Sequence, residues 1–178
     1  MRPEVISRQS VIATGRISLR PFHDSDASLV AQYANDRRVA QMTTSIPFPL
    51  SFEAAEEFVN RSLAADRSED VWVIDGVAAG GSALLGVVSL KYLDRDQSEI
   101  GYWVAPAFWN QGFASEAVNA LLGANPHANR SVVASVFHDN PASAKVLTAA
   151  GFALLGEAEA FSLARRQHVP TWTYLKTL

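Results

Sequence analysis

The chain has no cysteine among its 178 residues, which removes disulfide frameworks, thiolate zinc sites, cysteine nucleophiles and thiol redox chemistry together. Positive charge is not in excess either. Fifteen lysines and arginines against 18 aspartates and glutamates leave a formal charge of −3, so a nucleic-acid partner is not expected and an amine-bearing one is more natural. Long apolar runs are missing. The longest charge-free stretch that resembles one, Gly76 to Leu90, holds four glycines, falls short of the roughly 20 residues a bilayer requires and reads as paired strands. The first ten residues lack a secretory apolar core, so a cytoplasmic protein without a membrane partner is expected. His23, His127, His138 and His168 form no i, i+4 pair, so no metal site is expected. Walker, dinucleotide and nucleophile-elbow glycine patterns are absent as well, which excludes P-loop kinases, dinucleotide enzymes and α/β-hydrolases.

What is present suits one globular domain over residues 1–178, with 48% apolar residues and no repeat or linker. Ile17, Leu19 and Pro21 suggest a short strand, followed by a helix from Asp24-Ser25-Asp26 to about Arg37. A second helix runs from Ser51 toward Ala65 with Phe52, Ala55, Phe58, Val59 and Leu63 as its apolar stripe. The period then changes. Val71 to Ile74, Leu84 to Tyr92 and Ile100 to Val104 read as an antiparallel meander, and Gly112 to Leu122 returns to helical spacing. Ser131 to Phe137 is a β-branched strand, Pro141 to Ala150 a helix closed by Gly151, and Phe152 to Leu155 with Val169 to Leu175 supply closing strands. The expected fold class is α+β with a mixed, mainly antiparallel sheet flanked by helices.

The chemistry concentrates where a strand passes through a loop into a helix, from Ile100 to Ala117. The first N–H groups of a helix have no intrahelical acceptor and add to the positive end of its dipole, so small residues there admit a phosphate to the main chain. Gly112, Ala114 and Ser115 are small, and no lysine or arginine occurs from Ser98 through Asn129. An anion bound here relies on backbone donors, helped only by side chains from outside the segment. The alternative is that Gly112 simply tightens a turn before a buried helix.

Ile100-Gly101-Tyr102-Trp103-Val104 followed by Phe108-Trp109-Asn110-Gln111-Gly112-Phe113-Ala114-Ser115-Glu116-Ala117 resembles the acyl-CoA motif of the GNAT N-acetyltransferase superfamily. Thr14 to Pro21 and Asn140 to Leu147, with Ala150-Gly151-Phe152, resemble its RimJ/RimL-like branch, which acetylates ribosomal-protein N-termini. The resemblance implies acetyl-CoA as acyl donor, held by the main chain of Tyr102, Trp103 and Val104, by Asn110, Gln111, Gly112, Phe113, Ala114 and Ser115, and by Asn140. Trp109 stands where the family pattern has Arg or Gln, and Asn110 where many members have glycine. A homodimer is a further implication.

Acyl transfer to an amine needs a neutral nitrogen. A free α-amino group, with a pKa of about 7.7–8.0, needs less help from a base than lysine near 10.4. The resemblance makes Glu99 the general base and Ser143 the group that meets the departing thiolate. Read from the residues alone, Glu99 is a solvated strand charge, Ser143 a third helical position pairing with its own helix end, and Asn140-Pro141 an N-cap with a first-turn proline. Lys145 is within reach of a donor phosphate or else solvated. Met42, Ile46, Phe48 and Trp172 are where the family fold would place acceptor preference. The expected activity is acetyl transfer to a peptide or protein α-amine. The alternatives are a small-molecule amine or antibiotic as acceptor, and a non-catalytic CoA-responsive domain.

Overall fold

The computed structural model describes residues 9–178, so Met1 to Arg8, which carry most of the segment read above as lacking a secretory core, lie outside the described residues. Two short strands, β1 (Ile12–Ala13) and β2 (Ser18–Arg20), lead into α1 (Ala27–Ala34), α2 (Arg37–Ala40) and α3 (Phe52–Leu63). The meander β3 (Glu69–Asp75), β4 (Gly86–Tyr92) and β5 (Gln97–Val104) follows, then α4 (Phe113–Ala124), β6 (Ser131–Phe137), α5 (Pro141–Ala149), β7 (Ala153–Ser162) and β8 (Gln167–Thr177). The strands form one sheet in the order β1-β2-β3-β4-β5-β6-β8-β7, antiparallel throughout except for the parallel pair β5 and β6. The crossover between those two carries α4, as parallel neighbours require.

Two apolar clusters cover the two faces of the sheet. On one face α4 and α5 pack Val118, Leu121 and Leu147 against Trp72, Val88, Leu90, Ile100 and Ala134. On the other, α1 and α3 pack Val30, Ala34, Ala55 and Val59 against Val71, Val73 and Val87. The period-2 alternation of β3 to β5 sorts these residues between the faces. Gly86 is required where β4 crosses β5, because a Cβ there would stand 2.1 Å from the Trp103 carbonyl oxygen.

Two elements differ from the sequence expectation. The single helix expected to end near Arg37 is two helices. Asn35 leaves helical geometry (φ −79°, ψ 54°), its side chain accepts from the Leu50 N–H at 2.8 Å, and Asp36 restarts a turn by accepting from Arg38 N–H at 2.8 Å. The closing strand expected to stop at Leu155 continues to Ser162 and forms the sheet edge. Its outer half, Gly156-Glu157-Ala158-Glu159, gains its strand geometry from the ladder to β8 and has little apolar patterning of its own.

Candidate active site

β5 is held along its length by β4, and β6 is held along its length by β8, but the two strands meet each other only from Gln97–Glu99 to Ser131–Val133. Beyond those rungs they part. The Leu93 N–H bond to Gln97 and the Ala105 N–H bond to Leu85 set the alternation of β5, so the main-chain groups of Ile100, Tyr102 and Val104 face the gap and those of Gly101 and Trp103 face β4. One of these groups is already used: the Trp109 indole N–H donates to the Val104 carbonyl at 2.7 Å. The gap opens into a cleft of about 1240 Å³ that passes from the α4–α5 face of the sheet to the α1–α3 face.

At the upper rim the chain turns through Pro106–Phe108 into α4. Asn110 (φ 60°) and Gly112 (φ 80°) both take left-handed backbone, which asparagine tolerates best among non-glycine residues. The first helical bond runs from Glu116 N–H to the Gly112 carbonyl. The N–H groups of Asn110, Gln111, Gly112, Phe113, Ala114 and Ser115 have no acceptor among the described residues. This row of donors fits an anion with several oxygens, while the free edge of Ile100 and Tyr102 fits an extended chain bearing amides.

A cation arrives here from a part of the chain that spacing does not connect. Arg16, just before β2, sets its Nε 2.9 Å from Glu116 Oε2 and donates through Nη2 to the Gln111 carbonyl at 2.9 Å. Its guanidinium lies over the Phe113 ring at 4.5 Å. Burial on its own would raise the Glu116 carboxyl, but hydrogen bonds from Thr14 and Arg16 hold it below the usual carboxylate range. The sequence signal was only the Thr14-Gly15-Arg16 resemblance, with no role attached.

Deeper in the cleft, the Asn140 side chain caps α5 by accepting from the Ser143 N–H at 3.3 Å. The Ser143 hydroxyl lies 2.8 Å from the Tyr102 hydroxyl, which also donates to the Ser143 carbonyl at 3.1 Å. Burial pushes the Tyr102 phenol up to about 12, with the Ser143 hydrogen bond opposing, so Tyr102 stays protonated and serves as a hydrogen-bonding partner. The tyrosine side chain was not singled out from sequence, where only its main chain was.

Glu99 occupies the opposite face, directly across from Lys91, with Glu69 beyond it on β3. Burial raises its carboxyl above the ordinary value; Lys91 pulls it back and Glu69 pushes it up. The cleft thus brings Glu99, Tyr102, Trp103, Val104, Asn110, Gly112, Phe113, Ala114, Ser115, Asn140, Ser143 and Lys145 to one surface. Gln111 is not on that surface; its carbonyl turns to Arg16. Met42 and Ile46 line the α1–α3 side as expected, whereas Phe48 and Trp172 do not. Phe48 lies under the Arg37 guanidinium at 4.7 Å, and Trp172, across from Val136, stacks on His138 at 4.0 Å. Thr171 and Leu163 take their place at the wall. Arg165, at the β7–β8 turn, fastens that wall by donating to the Gln41 carbonyl at 2.8 Å and pairing with Asp139 at 2.7 Å.

The sequence model of the acetyltransferase (GNAT) domain matches residues 16–153. Among curated proteins, an uncharacterized N-acetyltransferase, YnaD of Bacillus subtilis, is 33% identical over 112 residues, 62% of this chain and 62% of that protein's length. The uncharacterized N-acetyltransferase p20 of Bacillus licheniformis is 27% identical over 146 residues, covering 78% of this chain and 80% of p20. Among solved structures, the microcin C7 self-immunity acetyltransferase MccE in complex with acetyl-CoA and AMP superposes with a TM-score of 0.80 at 18% identity, over 93% of this chain and 94% of the other. RimL, the ribosomal L7/L12 α-N-protein acetyltransferase, in complex with CoA gives 0.79 at 21% identity, over 95% and 98%. Spermidine N-acetyltransferase from Vibrio cholerae with CoA and spermine gives 0.73 at 21% identity, over 91% and 96%. At these identities the superpositions establish the fold. Among the described residues no helix is long and apolar enough to cross a membrane.

Proposed function

The chain belongs to the acetyltransferase (GNAT) family, and from that premise we propose that it moves an acetyl group from acetyl-CoA to the α-amine of a peptide or protein. The observation that carries this reading is the divided cleft. Its α4–α5 side offers unpartnered main-chain donors, and its α1–α3 side offers a raised carboxylate, with a serine hydroxyl where the two meet. The donor supplies an activated thioester carbonyl. The N–H groups of Asn110 and of Gly112 to Ser115 hold its diphosphate, and the free edge of Ile100 and Tyr102 aligns its amide-bearing arm. A main-chain N–H of that edge stabilises negative charge as it develops on the carbonyl oxygen.

Glu99 accepts the proton that the ammonium must lose before its nitrogen can attack. Its raised carboxyl makes it a stronger base than an exposed glutamate. Ser143, fixed by Asn140 and Tyr102, offers its hydroxyl proton to the sulfur of the departing thiolate when the Tyr102 hydroxyl turns its own proton from the Ser143 carbonyl to Ser143 Oγ. The whole chain is read as one acyl-transfer unit, since β8, which lies past the matched residues, supplies Thr171 to the cleft wall.

An α-amine is the favoured acceptor because its pKa of about 7.7–8.0 asks least of a single carboxylate base. A small polyamine is the second reading, favoured by the likeness in fold to the spermidine enzyme. A non-catalytic CoA-responsive domain is the third, and the convergence of Glu99 and Ser143 on one cleft argues against it. Thiol release from acetyl-CoA, followed across panels of peptides and small amines, separates the three. Turnover on peptides with free N-termini, abolished by N-terminal blocking, is the expected result. Turnover on polyamines alone gives the acceptor to the second reading, and CoA binding with no turnover on any amine removes the enzyme.

A further inference from the structure

Any diphosphate held at the start of α4 meets two fixed charges, Glu116 in the first helical turn and Arg16 beside it. Glu116 occupies the positive end of the helix that the ligand also needs, so an unpaired carboxylate there would repel it. Arg16 changes that balance. Its Nε faces Glu116 and its Nη2 holds the Gln111 carbonyl, which uses two of the five N–H donors of a guanidinium; the other three have no acceptor among the described residues. The group is not sealed away, its side chain being 47% exposed. A Cβ built on Gly112 would stand 3.4 Å from Nη2, so the guanidinium lies against the bare face of the glycine in the middle of the donor row. Among the described residues, Lys145 lines the cleft from α5, and Arg16 is the cation that lies against Gly112. Arg38 is forked onto Asp36 at 2.8 Å and leans over Trp109, and residues 98–129 contain no lysine or arginine.

We propose that Arg16 is a further donor-binding residue, whose guanidinium neutralises Glu116 and turns its remaining N–H groups to the diphosphate of the acyl donor. This rests on reading the cleft as an acetyl-CoA site. It explains how a loop without a cation of its own gains a charge-assisted contact, which is about twice as strong as a neutral one.

Calorimetry with CoA and with 3′-dephospho-CoA, on the wild type, Arg16→Gln, Arg16→Lys and Glu116→Gln, tests the assignment. Glu116→Gln keeps one acceptor oxygen, for Thr14 and the Arg16 main chain or for Arg16 Nε, while removing the negative charge. The expected result is roughly tenfold weaker binding of both ligands by Arg16→Gln, most of it recovered in Arg16→Lys, and equal or tighter binding by Glu116→Gln. The salt dependence of affinity falls in Arg16→Gln and persists in Arg16→Lys. Equal losses in Arg16→Gln and Glu116→Gln would reduce the pair to a mechanical staple and overturn the proposal. A loss confined to CoA moves the contact to the 3′-phosphate and also overturns it. Wild type that binds neither ligand defeats the donor reading itself, whereas wild-type binding with an unaffected Arg16→Gln defeats the role of Arg16 alone.

Discussion

At its Gln97–Glu99 end β5 is closed against β6, and the polar side chains buried there pair with one another, one Asn129 atom excepted; at its Ile100–Val104 end it stands apart, and the donors nearby have no partner in the described chain. In the closed region His127, 1% exposed, lies between Asp70 at 2.8 Å and the Ser98 hydroxyl at 2.9 Å, with the Tyr92 ring stacked on it at 3.8 Å. Arg67 pairs with Asp70 at 2.6 Å, and Ser98 donates to Asn129 at 3.0 Å. Among the described residues the Asn129 side-chain nitrogen is the one buried polar side-chain atom left without a partner. In the open region six consecutive N–H groups wait. Polar groups at the closed end are buried and, apart from the Asn129 nitrogen, paired within the chain, whereas the donors at the open end are solvent-accessible and available to a ligand. Stability and binding should therefore separate along a single strand.

The largest expected effect comes from breaking the closed end. Asp70→Ala leaves His127 and Arg67 without their carboxylate and should lower unfolding free energy by about 3–5 kcal/mol, read by denaturant titration, with CoA affinity of the folded fraction unchanged. A matching loss of affinity would mean that the two ends are one unit. The same carboxyl predicts an acid limb. Burial works to raise Asp70, but its hydrogen bonds from His127 and Arg67 win and hold it below 3.8. The stability it contributes is thus complete above that value and lost as pH falls through the lower folded one; Asp70→Asn should flatten this limb in melting curves taken between about pH 5 and 2.

Next in size is Glu99, on the opposite face of the strand. Glu99→Gln should lower turnover by about a hundredfold at neutral pH while leaving acetyl-CoA affinity as it was. Because burial raises the Glu99 carboxyl, the wild-type rate rises with pH through a value above 4.5, and the variant loses that rise. Retention of the same limb in the variant would assign the proton to another group.

Gly112→Val carries the comparison to the open end. A β-branched residue at φ 80° is strained, and its side chain projects toward Arg16 across the donor row. CoA binding should weaken about tenfold by calorimetry, with a smaller loss of stability than Asp70→Ala. The smallest effect separates the walls of the acceptor side: Met42→Ala should shift relative turnover across a peptide panel by a few fold, and Trp172→Ala should leave it as it was, since only Met42 lines the cleft.

The two regions also differ in how far they were legible in the sequence. Gly112, Ala114 and Ser115 in succession, without a cation from Ser98 to Asn129, describe a bare helix start before any coordinates are known, and the α4 donor row is what they build. The meander was equally legible, because the β-branched apolar runs between Val71 and Tyr92 and the glycines that part them are local. Arg16 meets Glu116 across 100 residues, and no local period predicts that. Trp172 is turned from the cleft wall for a related reason. Which face a strand residue takes depends on register with its partner, and the pairing of Trp172 with Val136 turns it toward His138. The extension of β7 beyond Leu155 leaves little mark in the sequence, because an exposed edge strand needs little apolar pattern once β8 supplies its ladder.

Backbone amide hydrogen exchange with and without CoA tests the division of β5 most directly. At a hundredfold excess of ligand over Kd, the amides of Asn110 to Ser115 should slow on the order of a hundredfold, with those of Gln97 to Glu99 unchanged. Protection that leaves residues 110–115 untouched while CoA is bound would contradict the account.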